Sequence, residues 1–156
     1  MTVITNYDPA LAAEGLIDEK SKQLIEMWKE TSFRFNHSYI NLLPFMNHVT
    51  PPRDADSIAE PLLVGNRSFL ALVYGQEWIN ENPATRARVD PKMMAAVSRD
   101  YKISAEILTP RLNLVRTKIQ LPKGGSQDTC YFSLILPFTL KRGNVILFSY
   151  ASPVHQ

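Results

Sequence analysis

The side chains that could do chemistry are few, and most stand far apart. Three histidines occur, His37, His48 and His155. None lies one helical turn from another, the arrangement two imidazoles need to share a zinc ion. They are expected at the surface or in caps, and no metal site is expected. Cys130 is the single cysteine, so an internal disulfide and a cysteine-based metal cluster are excluded. Its expected role is that of a small buried hydrophobe. No G-x-S-x-G elbow and no phosphate-cradling glycine loop occurs, and Gly124-Gly125 reads as a hairpin turn. Asp54 and Asp56 form an acidic pair after Pro51-Pro52, in a stretch that reads as a solvated loop. Arg86 and Arg88 flank Ala87 just before Asp90. They could face an anion at a helix N-terminus, or simply be solvated. The set points away from catalysis.

Composition sets wider bounds. The chain has 156 residues, enough for one domain with a single core. Hydrophobic residues make up 45% and charged residues 21%, as in an ordinary globular protein. The net charge of +2 is too small to imply nucleic acid or an anionic membrane as partner, and no Lys/Arg run exceeds two residues. No apolar run approaches the roughly 18 residues of a membrane span. The opening "MTVITNYDPALAAEG" lacks the basic start and apolar stretch of a secretory signal. A cytoplasmic location is the simplest expectation. The triplets "NHS" and "NRS" are chance matches to a glycosylation pattern in that setting.

The elements that must position these residues follow from periodicity. Residues 1–14 are expected as a loose arm. Ile17, Leu24 and Trp28 recur at helical spacing, with charges on the other side, so an amphipathic helix is expected over 16–34, starting near Asp18. A short strand is expected over Leu42–Val49, with proline at an edge. "PPRDADS" is a loop and "PLLVG" a short strand. The apolar stretch "SFLALVY" admits a strand or a short helix. Asn66 before it and Gly75 after it favour a helix, capped by Asn66 with Phe69, Leu72 and Val73 on one face. Asp90-Pro91 is an N-cap with proline at the first helical position, and a helix is expected from Asp90 to Asp100. "KISAEILTP" and "RLNLVRTKIQLP" read as two strands joined at Pro110-Arg111. "KGGSQD" is a turn. "TCYFSLILPFTL" places Cys130, Phe132, Leu134, Leu136, Phe138 and Leu140 on one face by alternation, and "KRGN" leads into a last strand, "VILFSYASP". The class is α+β, with helices gathered on one side of a mostly antiparallel sheet.

This order, over roughly Leu42 to Pro153, resembles the PAS fold, the small sensor domain of many signalling proteins. There, two strands lead into short helices, a longer helix crosses the sheet, and three antiparallel strands finish it. Many PAS sequences carry an asparagine after the second strand, an aromatic three residues on and a glycine ending the first short helix. Asn66, Phe69 and Gly75 correspond here. The resemblance implies an arm over 1–15 and a single domain over 16–156 that includes the N-terminal helix. It implies a ligand pocket between the sheet and the crossing helix, lined by Phe69, Leu72, Trp78, Met94, Val97, Ile107, Val115, Phe132, Leu134 and Phe148. The same residues would serve as an ordinary filled core. No cofactor is assigned. The crossing helix offers no axial histidine for haem. "NRSFL" at Asn66 to Leu70 resembles the flavin-bonding "NCRFLQ" motif of LOV domains but has no cysteine, so a flavin adduct is not expected.

Two functions are in play. The first is a stand-alone sensor or interaction module of PAS type, without catalysis. It would bind a small molecule or a protein, could pair with a second copy through its N-terminal helix, and would pass its output to a separate protein. The second is a small enzyme or ligand carrier of the cone-shaped NTF2-like kind, with Tyr131, Glu106 and Asp100 as candidates for its polar groups. A buried carboxylate of raised pKa would favour the enzyme, and a neutral lining the sensor.

Overall fold

The computed structural model describes residues 1–54 and 57–154. Its centre is a six-stranded sheet made of β1 (Val3–Tyr7), β2 (Met46–Val49), β3 (Pro61–Val64), β4 (Arg111–Gln120), β5 (Ser126–Thr139) and β6 (Val145–Pro153). The strand order is β1-β4-β5-β6-β2-β3, with every neighbouring pair antiparallel. Two short helices, α1 (Ala10–Ala13) and α2 (Glu19–Glu30), precede β2. Three more, α3 (Phe69–Tyr74), α4 (Gln76–Asn80) and the long α5 (Pro91–Ile107), lie between β3 and β4.

The α+β class and the antiparallel sheet agree with the sequence. The distribution of helices does not: they cover both faces rather than one. The odd-numbered β5 residues Tyr131 and Ile135 join Val97, Tyr101, Val115 and Leu147 in a core beneath α3, α4 and α5. The even-numbered Leu134, Leu136 and Phe138 join Leu24, Ile25, Tyr39 and Leu112 in a second core beneath α2. Opposite faces follow from the two-residue period of a strand. A sheet apolar on both faces needs a cover on each. The apolar side of α2 therefore rests on its own sheet, with Leu24 and Ile25 fully buried.

Several boundaries differ from expectation. Residues 3–7 are not a loose arm but β1, which pairs with β4 from Val3↔Arg116 to Tyr7↔Leu112. Only Ile4 of that strand is even half-buried. Backbone pairing at the sheet edge, not apolar alternation, holds it, and so it left little trace in the pattern. "KISAEILTP" is not a strand, because α5 runs through it to Ile107. The alternating Ile103, Ala105 and Ile107 mimic a strand. The buried face, however, is Met93, Met94, Val97, Ser98, Tyr101 and Ser104, which has helical spacing. Leu108, at φ 51° and ψ 43°, ends the helix. "SFLALVY" is a helix, as the flanking residues indicated, but its cap is Ser68, whose hydroxyl accepts from the Ala71 N–H at 3.2 Å. The segment expected as a strand over Leu42–Val49 begins with a 3-10 turn at Leu43–Phe45, and only Met46 onward is extended. Gly65 is fixed by crowding: a Cβ there would lie 2.3 Å from the Pro44 carbonyl oxygen. Asp18 caps α2 as expected, accepting from the Ser21 N–H at 2.7 Å. Pro137 is tolerated inside β5 because β4 pairs only as far as Ile135.

Candidate functional site

The four central strands turn polar as well as apolar residues toward α5. On β4 Asn113 interrupts the apolar positions, on β5 Ser133, on β6 Ser149 and on β2 Asn47, and all four are buried. Asn113 lies opposite Ser133, and Ser149 lies opposite Asn47. The Tyr101 side chain descends from α5 to the same wall as Ser133 and Ser149. At the outer end, the Asn6 side-chain amide donates to Asn113 Oδ1 at 3.0 Å. A polar row thus crosses the sheet from β1 to β2 through the middle of an apolar core.

A cavity of about 50 Å³ opens between this row and α5. Apolar side chains supply most of its wall, among them Val49, Val97, Val115 and Ile135, with Met93 and Met94 on the helix side. Two polar groups on that wall are poorly served. Asn47 is nine-tenths buried, and its Oδ1 has no hydrogen-bond partner among the described residues. The Tyr131 hydroxyl reaches only the Met93 sulfur, at 4.0 Å. Burial pushes the Tyr131 phenol far above its ordinary value. Burial likewise raises the Tyr101 phenol, against the hydrogen bonds of Ser149 and Ser133. Asp100 is the one charged residue on the cavity wall among the described residues. Its carboxylate accepts from Arg111 Nε at 2.7 Å, so the charge is already matched.

The ten pocket residues expected from sequence divide into four groups. Phe69, Met94, Val97 and Val115 do line the cavity. Leu72 and Ile107 instead face solvent, 71% and 57% exposed. In α3 the buried side is Leu70, Ala71 and Tyr74, one residue round from the expected face. Phe132, Leu134 and Phe148 lie on the opposite side of the sheet, in the core beneath α2. Strand parity puts them there. Trp78 is buried in the same core as the cavity, but beside it, where its indole N–H donates to the Ala87 carbonyl at 2.8 Å. The sequence reading missed Asn47, Asn113, Ser133 and Ser149. The available signal was a polar residue at the core parity of an otherwise apolar strand.

The other candidates do not assemble. The N-terminus of α5 is filled by its own Asp90, whose Oδ1 accepts from the Lys92 and Met93 N–H groups and whose Oδ2 accepts from the Gln120 N–H. Arg88 pairs with Glu60, and Arg86 stacks 4.2 Å from the Trp78 ring. Neither arginine converges on that helix end. Glu106 is exposed near Lys102 and is not grouped with Asp100 and Tyr131. His37 is exposed and His48 stacks on Phe148. Asp54 accepts from the Ser57 N–H. Asp56 and His155 lie outside the described residues. Cys130 is half-buried on β5. Among the described residues no three metal-ligating side chains come together, and no helix is long and apolar enough to cross a membrane.

Compared with known proteins, the chain matches no family model, no curated protein and no solved structure.

Proposed function

We propose that the chain is a regulatory module of PAS type that binds a small molecule between α5 and the sheet. The observation that carries this reading is the cavity, an apolar space within the core with an unserved polar atom on its wall. Binding pockets combine apolar lining with a few orienting polar groups in this way. Element order supports it as well. From Met46 to Pro153 two strands, two short helices, one long helix and three antiparallel strands follow one another. The lining speaks against the NTF2-like enzyme, because the wall holds one carboxylate and Arg111 neutralises it.

A route for output is built into the sheet. The odd residues of β5 touch the cavity core and its even residues touch the core beneath α2. Close-packed interiors transmit displacement, so a ligand that shifts β5 is felt at α2. A separate protein, or a second copy, would read that change.

Methionine-methyl NMR tests the reading. Met93 and Met94 line the cavity, whereas Met27 and Met46 lie in the other core. A panel of small neutral, cationic and anionic compounds at about 10 mM, the range expected for fragments this small, should contain members that shift Met93 and Met94 first. If no member moves those two methyls, the small-molecule reading is wrong.

A further inference from the structure

We infer that the cavity selects a small neutral molecule carrying a hydrogen-bond donor, with Asn47 Oδ1 as the anchor that receives it. The inference rests on the small-molecule reading above and names the ligand's chemistry.

Three observations carry it. The first is the orphan acceptor. Asn47 is nine-tenths buried, lines the cavity, and its Oδ1 has no partner among the described residues. A buried carbonyl without a donor is costly, and natural cores almost always satisfy it. The missing partner must donate. The second is charge. Among the described residues Asp100 is the only charged one on the wall, and Arg111 holds it. A charged ligand would find no free counter-ion and would lose its hydration. The third is size. A cavity of about 50 Å³ has room for about four water-sized bodies, taking one water as about 10–15 Å³. Haem, flavin and nucleotides are far too large. The flexible side chains of Met93 and Met94 on the helix side allow modest growth. The fitting class is a short alcohol or a primary amide with a compact apolar body.

Ser133, Ser149 and Tyr101 share the wall, but among the described residues the buried side-chain polar atom without a partner is Asn47 Oδ1. Asn47 stands beside them, at the β2 end of the row, across the ladder from Ser149.

Isopropanol and acetone make the test. They have the same heavy-atom skeleton, but only the alcohol can donate. Each is titrated into the full chain while the Met93 and Met94 methyl resonances are followed. The expected result is saturable shifts with isopropanol at least about tenfold tighter than acetone, because a buried acceptor left unpaired rejects the analogue that lacks the donor. In Asn47→Leu that preference should vanish. Should the variant not fold, the wild-type pair still decides. Equal binding of the two compounds, or tighter binding of acetone, overturns the assignment of Asn47 Oδ1. So does an unchanged preference in Asn47→Leu. No saturable shift with either compound also overturns it. Other members of the panel shifting Met93 and Met94 would then keep the sensor reading alive. Silence across the panel would end both.

Discussion

Asn47 carries a cost that the fold alone gives no reason to keep. Its neighbours on the α5 face of β2 and β3 are Val49 and Val64, and an apolar side chain would suit the same wall. Replacing it with leucine removes a buried, unpaired carbonyl. Without ligand, Asn47→Leu should therefore be more stable than the wild type by about 1 kcal/mol, measured as a raised urea midpoint at unchanged slope. A loss of stability would mean that bound water satisfies the amide. A stability gain joined to a loss of donor preference is the trade expected at a binding residue. At this scale the sequence was legible only in part. Phe69, Met94, Val97 and Val115 could be placed in the pocket because helices and strands bury apolar residues. The sequence does not show which face of a two-sided sheet receives a given side chain. Phe132 and Leu134 are as apolar as Val115, and only parity against α5 separates them.

At the scale of elements, α2 is fastened through Asp18. This carboxylate caps the helix through Ser21 and also accepts from the Tyr150 hydroxyl at 2.6 Å, joining the helix start to β6. Burial works to raise the Asp18 carboxyl, but hydrogen bonds from Ser152, Ser21 and Tyr150 outweigh it and leave the group below its ordinary value. A carboxyl depressed in the folded state adds stability that is complete above its unfolded pKa. That stability is lost as pH falls through the folded value. Asp18→Asn keeps a capping oxygen but not the charge. Between about pH 6 and about pH 3 the wild type should lose more stability than Asp18→Asn, the difference being the Asp18 linkage. Parallel curves would show that Asp18 binds α2 no better charged than neutral. The cap was readable in "IDEKS" because capping is local chemistry. The strand partner was not, since Tyr150 lies 132 residues away. The same contrast explains α5 and β1. The start of α5 is written in Asp90-Pro91. Its last two turns alternate like a strand, and the packing of Tyr101 and Ser104 against the sheet decides the matter. β1 has almost no apolar signal and exists because β4 offers it an edge.

For the whole molecule, the two cores share one chemical feature, tyrosines set into apolar surroundings. Of six tyrosines, Tyr39, Tyr74, Tyr101, Tyr131 and Tyr150 all have phenols raised above the ordinary value of 10.0, each chiefly through burial. They fall on both sides of the sheet, with Tyr74, Tyr101 and Tyr131 in the core beneath α5 and Tyr39 and Tyr150 in the core beneath α2. A phenol raised in the folded state contributes stability in full below its unfolded pKa. That contribution disappears as pH rises toward the folded value. Stability should accordingly fall steeply above about pH 10, because the unfolded chain releases phenolic protons that the folded chain retains. Since both cores hold such groups and share β5, they should fail together. Phenolate absorbance followed against pH should show a delayed, steep rise that coincides with loss of the circular-dichroism signal of the sheet. If phenolate instead appeared gradually with the sheet intact, the phenols would be reaching water through local opening. The methionine methyls would then locate that opening, Met93 and Met94 reporting on the cavity side and Met27 and Met46 on the side of α2. Motion confined to the cavity side is the outcome that a ligand-responsive core requires, since the elements that move on binding are drawn from the less stable part of a fold.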